Sequence, residues 1–132
     1  MKKEEFIKYC KEQGYNLTDD QFSGGEKIEG NLYLKHLTSI PEGFSPVVGG
    51  SLYLNSLTSI PKGFNPKVGG YLGLGGLTSI PEGFNPVVGY NLWLDSLTEI
   101  PENFNPLIKG DIYIIDDDVN IKPILEFINF HI

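Results

Sequence analysis

The sequence predicts a mainly β repeat solenoid, a stack of about five 20-residue coils with a short helical cap at each end. Three observations predict it. A block of twenty residues, first written Gly30-Asn31-Leu32-Tyr33-Leu34-Lys35-His36-Leu37-Thr38-Ser39-Ile40-Pro41-Glu42-Gly43-Phe44-Ser45-Pro46-Val47-Val48-Gly49, recurs at 50–69, 70–89 and 90–109 with no slip. A degenerate fifth copy opens at Gly110 with Asp111-Ile112-Tyr113-Ile114. Apolar segments flank the array on both sides. A fixed period near twenty means one supersecondary unit per copy, and such a unit buries its apolar face only against the copies above and below it.

The chain accordingly divides into an N-terminal helical cap and linker (1–29), four repeat coils (30–109), and a fifth coil with a C-terminal helical cap (110–132), one domain overall. Residues 3–13 read as a short helix with Phe6, Ile7 and Cys10 on one face and Gly14 as its stop. Cys10 reads as a small buried hydrophobe. Asn16 to Glu29 reads as a polar linker that brings Ile28 to the place Val48 takes one coil later. Within a repeat, Leu32-x-Leu34 alternates as a short strand with one buried face does. Leu37 and Ile40 follow at irregular spacing, so the chain turns a corner there. Pro41 lacks an N–H and ends any ladder, and Gly43 and Pro46 bracket Phe44 in a turn-rich return segment. The inward set is Leu32, Leu34, Leu37, Ile40, Phe44 and Val48. It recurs as Leu52, Leu54, Leu57, Ile60, Phe64 and Val68 and twice more, with Ile108 in the fourth copy. Five coils at strand spacing span roughly 20–25 Å. After Ile112 the register slips, because Ile121 stands one place late, and Pro123 opens an apolar run from Ile124 to Phe130 that reads as the closing helix. Apolar surface left there fits either a monomer or a weak homodimer.

The net charge of −7 is unevenly spread. Residues 1–69 hold eight Lys and eight Asp or Glu, whereas residues 70–132 hold two Lys against nine acids, which is the whole imbalance. With no arginine and no basic surface, direct nucleic-acid binding is not expected. The acidic half reads either as a solubilising surface or as a surface for a basic partner. Met1-Lys2-Lys3-Glu4-Glu5-Phe6 has charges and no apolar run after it, so neither a signal peptide nor a membrane span is expected. One cysteine forms no intramolecular disulfide, which fits a cytoplasmic setting.

The pattern L-x-L-x-x-L-T-x-I-P-x-x-F, as in Leu32 to Phe44, resembles the short bacterial leucine-rich repeats that carry an L-T-x-L-P run. The resemblance covers 30–109, and 110–124 more weakly. It implies a parallel sheet on a concave face that binds other proteins, in a bacterial or phage setting. That family follows its strand with an Asn, Cys or Thr that bonds the turn backbone. Here Leu37, Leu57, Leu77 and Leu97 stand in that neighbourhood, so the corner is held differently, and a straighter β-solenoid is the alternative geometry.

Function is expected on the outward strand positions. The central row reads Tyr33, Tyr53, Gly73, Trp93, Tyr113, an aromatic ladder interrupted at the third coil, where Gly73, Gly75 and Gly76 remove three side chains. Tyr53 and Trp93 then stand roughly 10 Å apart with room for a flat or narrow group between them, and Tyr71 is placed to lean into the gap. Trp93 is expected to be well exposed. The partner-binding set is Tyr33, Tyr53, Tyr71, Trp93 and Tyr113, with Asp95 and Asp111 beside it, and the expected partner is another protein. Stacked aromatics also stabilise a sheet with no ligand present. Two other readings compete: an acidic, phage-encoded anti-defence inhibitor occupying a basic nucleic-acid-binding groove, and a carbohydrate-binding surface. No catalytic residue, cofactor or metal site is expected. His36 and His131 stand apart from any cysteine, the Thr-Ser-Ile-Pro runs suit turns, and Asp116-Asp117-Asp118 lacks a calcium-loop spacing.

Overall fold

Each coil contributes two short strands, and like strands stack in parallel at an offset of twenty residues. The architecture comes from a computed structural model that describes residues 1–114. One sheet has five strands: β1 (Leu32–Tyr33), β3 (Leu52–Tyr53), β5 (Leu72–Gly73), β7 (Leu92–Trp93) and β9 (Ile112–Tyr113), in that order. The other has four: β2 (Val47–Val48), β4 (Lys67–Val68), β6 (Val87–Val88) and β8 (Leu107–Ile108). This is a parallel β-solenoid of about four coils. The second sheet adds to the sequence reading, in which Val48 was an inward position without a strand. The expected closing helix, the slipped Ile121 and the acidic run Asp116–Asp118 lie outside the described residues.

The register explains the core. Leu32 pairs with Leu52, then Leu72, Leu92 and Ile112, so each inward side chain lies on its own copy. Every expected inward residue of the first three coils is buried, and the fourth repeats the set with Ile100 half-buried. Four phenylalanines run up the interior as a column, Phe44, Phe64, Phe84 and Phe104, with ring centroids 6.1, 6.2 and 6.3 Å apart. The prolines that the sequence places in turns also pack inside: Pro46, Pro66, Pro86 and Pro106 are all buried.

The corner after the strand is closed by main chain. Leu37 N–H donates to Leu34 C=O at 3.2 Å, and Leu57, Leu77 and Leu97 repeat the bond. A leucine therefore fits where a leucine-rich repeat would use a polar side chain, since the turn needs no side-chain acceptor.

Polar rungs hold the corner before the strand. Asn31 Oδ1 accepts from Ser51 N–H at 2.7 Å, Ser51 Oγ from Tyr71 N–H at 2.9 Å, and Asn91 Oδ1 from Asp111 N–H at 2.9 Å. Each rung needs a bare glycine in front of its donor. A Cβ on Gly50, Gly70 or Gly110 would collide with Asn31 Oδ1, Ser51 Oγ or Asn91 Oδ1 respectively. The junction of coils three and four breaks both halves of this rule together. Tyr71 offers no such acceptor, and the matching glycine is replaced by Tyr90, whose ring packs on Tyr71 at 5.3 Å. A second polar ladder, Ser45, Asn65, Asn85 and Asn105, runs along the return segment.

The N-terminal cap behaves as a missing coil. Helix α1 (Lys3–Glu12) buries Phe6 and Cys10 completely, and Gly14 beyond it has φ of +94°. Phe6 extends the phenylalanine column, 4.5 Å from Phe44. Ile28 bridges to Val48 in parallel, in the place the sequence assigned to it. Tyr15 Oη accepts from Tyr33 N–H at 3.1 Å, which satisfies a donor on the open edge of β1. One correction concerns the linker. Residues 16–29 contain a second helix, α2 (Asp19–Ser23), whose Phe22 is buried against Phe6 and Phe44. Its signal was present as Thr18-x-x-Gln21. Thr18 Oγ1 accepts from Gln21 N–H and Gln21 Oε1 accepts from Thr18 N–H, a complete capping box.

Two substitutions test this packing. Phe64→Ala should cost about 3–5 kcal/mol, since the cavity lies mid-column and uncouples the coils on either side. An unchanged thermal midpoint would remove Phe64 from the interior. Ser51→Ala should lower stability by about 1–3 kcal/mol in urea titration, because it strips the Tyr71 N–H of its acceptor. A loss well under 1 kcal/mol would show that the rung does not carry the corner.

Candidate functional site

The outward face of the five-stranded sheet gathers the residues expected there, because strand alternation sends them opposite to the buried leucines. The aromatics form two stacked pairs. Tyr33 lies on Tyr53 at 4.9 Å and 7°, and Trp93 lies on Tyr113 at 4.0 Å and 12°. Between the pairs, β5 presents Gly73, which is paired in register with both Tyr53 and Trp93. The interruption is an open recess of about 500 Å³ lined by Tyr53, Asn55, Tyr71, Gly73, Gly75, Asn91, Trp93 and Asp95. Four of the seven expected residues therefore line one recess: Tyr53, Tyr71, Trp93 and Asp95. Tyr33 and Tyr113 back its walls from outside, 49% and 37% exposed, and Asp111 is exposed beside β9.

Two expectations change. Trp93 is half-buried rather than well exposed, because Tyr113 covers one of its faces. Tyr71 leans toward the gap without filling it, since it is drawn against Tyr90. Sequence reasoning passed over Tyr90, and it places Asn55 and Asn91 on the outward rows beside the aromatic one without including them in the partner-binding set. Tyr90 had a signal, as the one residue other than glycine at the corner position shared by Gly50, Gly70 and Gly110.

The glycines shape the recess differently. At Gly76 a Cβ would lie 2.6 Å from Asn55 C=O and 2.7 Å from Leu57 C=O, so coil three sits too close to coil two to carry a side chain there. At Gly75 a Cβ would make only ordinary contact, 3.7 Å from Asp95 Oδ2. A side chain at 75 is thus sterically allowed, and its absence leaves the floor open.

Among the described residues, Asp95 is the only charged one in the lining. Its Oδ1 is buried and has no hydrogen-bond partner among the described residues. An unpaired buried carboxylate oxygen is costly, and the second oxygen, Oδ2, lies on the Gly75 side of the recess. The ring of Tyr53 already has the Lys35 ammonium 5.6 Å from its centroid.

Elsewhere the chemistry-bearing residues are dispersed. Burial pushes the Cys10 thiol up to about 12, so it stays protonated and unreactive at neutral pH. Among the described residues, no three His, Cys, Asp or Glu side chains come together as a metal site, and no helix is long and apolar enough to cross a membrane. Comparison with known proteins returns no match: no family model fits the chain, and no curated protein and no solved structure matches it.

Trp93 is the only tryptophan and reports on this face. Tyr113→Ala should uncover it, shifting its emission to the red and raising acrylamide quenching, whereas Tyr33→Ala should change neither. Equal responses to the two substitutions would contradict the paired stacking.

Proposed function

We propose that the protein is a non-enzymatic binding module that engages another protein through the aromatic outward face of its five-stranded sheet. The observation that carries this reading is the departure of coil three from its own repeat. The other copies serve as an internal reference; Tyr71, Gly73 and Gly75 differ from it in the lining of one recess, and Gly76 and, at the start of the next coil, Tyr90 differ beside it. Packing accounts for Gly76, which has no room for a Cβ, and for Tyr71 and Tyr90, whose rings lie on each other. Gly73 gives up an aromatic contact that neighbouring coils keep, and Gly75 omits a side chain that has room. The rows of tyrosine and tryptophan on either side are residue types that dominate interface energetics. The leucine-rich-repeat signature supports the same use, and with it a bacterial or phage provenance.

Capture from the native host's lysate with the intact protein and with a Tyr33→Ala, Tyr113→Ala pair tests the reading. The pair removes the exposed rings while leaving the buried set untouched. A specific partner lost from the variant at least tenfold, with the thermal midpoint little changed, is the expected result; full retention would end the proposal. The acidic inhibitor is the second reading, favoured by the exposed acids of the later coils, Glu82, Glu99, Glu102 and Asp111. Binding that collapses between low and high salt would support it, because exposed charges are screened and aromatic burial is not.

A further inference from the structure

We infer that the recess over Gly73 receives a methylated lysine of the partner protein, in the form that keeps one N–H: dimethyl-lysine. This rests on the protein-binding reading above and names the group that the recess takes.

The first argument is width. Tyr53 and Trp93 stand on strands separated by β5, two strand spacings or about 9.5 Å apart. Each is stacked on its outer neighbour, so the opposite face of each ring looks into the recess. A flat group held midway would lie nearly 5 Å from either wall, beyond the ~3.5–4 Å of good carbon contact, and could touch only one ring. An alkylated nitrogen is different. At the centre it lies about 5 Å from both rings, inside the ~6 Å reach of a cation–π contact. Its methyl groups, about 1.5 Å from nitrogen, then meet the two faces at contact distance.

The second argument is charge. Among the described residues the recess lining holds one charged group, Asp95, and no cation. Its Oδ1 lacks a hydrogen-bond donor among the described residues. A dimethylammonium supplies a positive charge for the Asp95 carboxylate and one N–H for it to accept through Oδ2, the oxygen on the Gly75 side of the recess. A trimethylated nitrogen keeps the charge and has no donor. An unmodified ammonium has donors and no methyls to reach the walls. A sugar hydroxyl would supply a donor without the charge.

The third argument is access. Gly75 leaves its part of the floor open, Asn55 reaches across Gly73 with its Oδ1 2.5 Å from where a Cβ there would stand, and Asn91 edges the opening with a second amide. Lys35, at the position equivalent to Gly75 two coils earlier, shows what side chain this position otherwise carries.

Trp93 fluorescence measures occupancy directly in the intact protein. The probes are trimethylammonium chloride, which keeps one N–H at neutral pH, tetramethylammonium chloride, which has none, and neopentyl alcohol, which has the shape without the charge. The expected result is a saturable response to trimethylammonium in the millimolar range, at least threefold weaker for tetramethylammonium and at least tenfold weaker for the alcohol. Asp95→Asn should weaken the trimethylammonium response at least fivefold, and Gly75→Leu should abolish it by filling the floor. Positions 35, 55 and 95 all carry side chains, so Gly75→Leu should fold, and circular dichroism checks this. A response equal for the alcohol, or unchanged in Asp95→Asn, overturns the proposal. A blocked pentapeptide carrying dimethyl-lysine should bind at least tenfold tighter than free trimethylammonium and at least threefold tighter than its unmodified form. If it binds no better than the ion, a partner side chain is the wrong source and the inference falls. If these probes fail while Tyr33→Ala, Tyr113→Ala still loses its protein partner, only the inference is lost; if the probes succeed and no partner depends on the face, the protein-binding reading is lost instead.

Discussion

The parallel pairing of each coil with the next, at an offset of twenty residues, is the constraint on which everything else in the structure depends. Main-chain bonds run from coil to coil: Leu32 N–H to Ser51 C=O, Leu52 to Tyr71, Leu72 to Asn91, Leu92 to Asp111. A one-residue slip would send every leucine of a strand to the solvent face. With the offset fixed, each side chain meets its own copy, and a single choice of residue is amplified along the stack. Phenylalanine on phenylalanine gives a column, leucine on leucine a dry core, and asparagine or serine on backbone N–H a ladder of rungs. The arrangement is open-ended, so the first coil needs a cover, and Phe6, Phe22, Ile28 and Tyr15 supply between them the apolar, strand and polar contacts a preceding coil would have made.

The same constraint makes departures costly and therefore informative. A rung and the glycine in front of it form a unit, because the acceptor occupies the space a Cβ would need. Replacing one member alone leaves either an unsatisfied N–H or a collision. The junction of coils three and four replaces both, with Tyr71 and Tyr90, and the two rings then pack on each other. The outward strand position of coil three loses a ring that would have continued the ladder. The result is a gap held open between two rigid stacked pairs. Those walls are pre-organised, since each is fixed by a partner on its outer side, and a guest need not order them on entry.

Much of the fold was legible because the copies repeat. The inward set, the strand beginning at Leu32, the first helix and the place of Ile28 all follow from apolar spacing. Helix α2 was passed over because its composition is polar, although Thr18 and Gln21 carry its capping signal. The second sheet was not read because two-residue strands of the Val47–Val48 kind leave no alternation to detect. In the site, the aromatic row and its break at Gly73 were visible as a column of the repeat. The pairing of Tyr71 with Tyr90 was not, since the two residues belong to different columns and meet only across a corner.

The sequence by itself determined the period, the coil, the buried set and the row of residues that faces outward, because each follows from a local pattern that stacking then repeats. Only the tertiary structure decided how that row is divided. Ring stacking turned four aromatics into two pairs, half-burying Trp93 and leaving a recess where the sequence shows only a missing side chain. Which oxygen of Asp95 is shut away without a donor, and that Gly75 has room for a side chain while Gly76 has none, depend on how closely particular coils approach. Those distances arise from side-chain packing between neighbouring copies, and no residue carries them in its own identity.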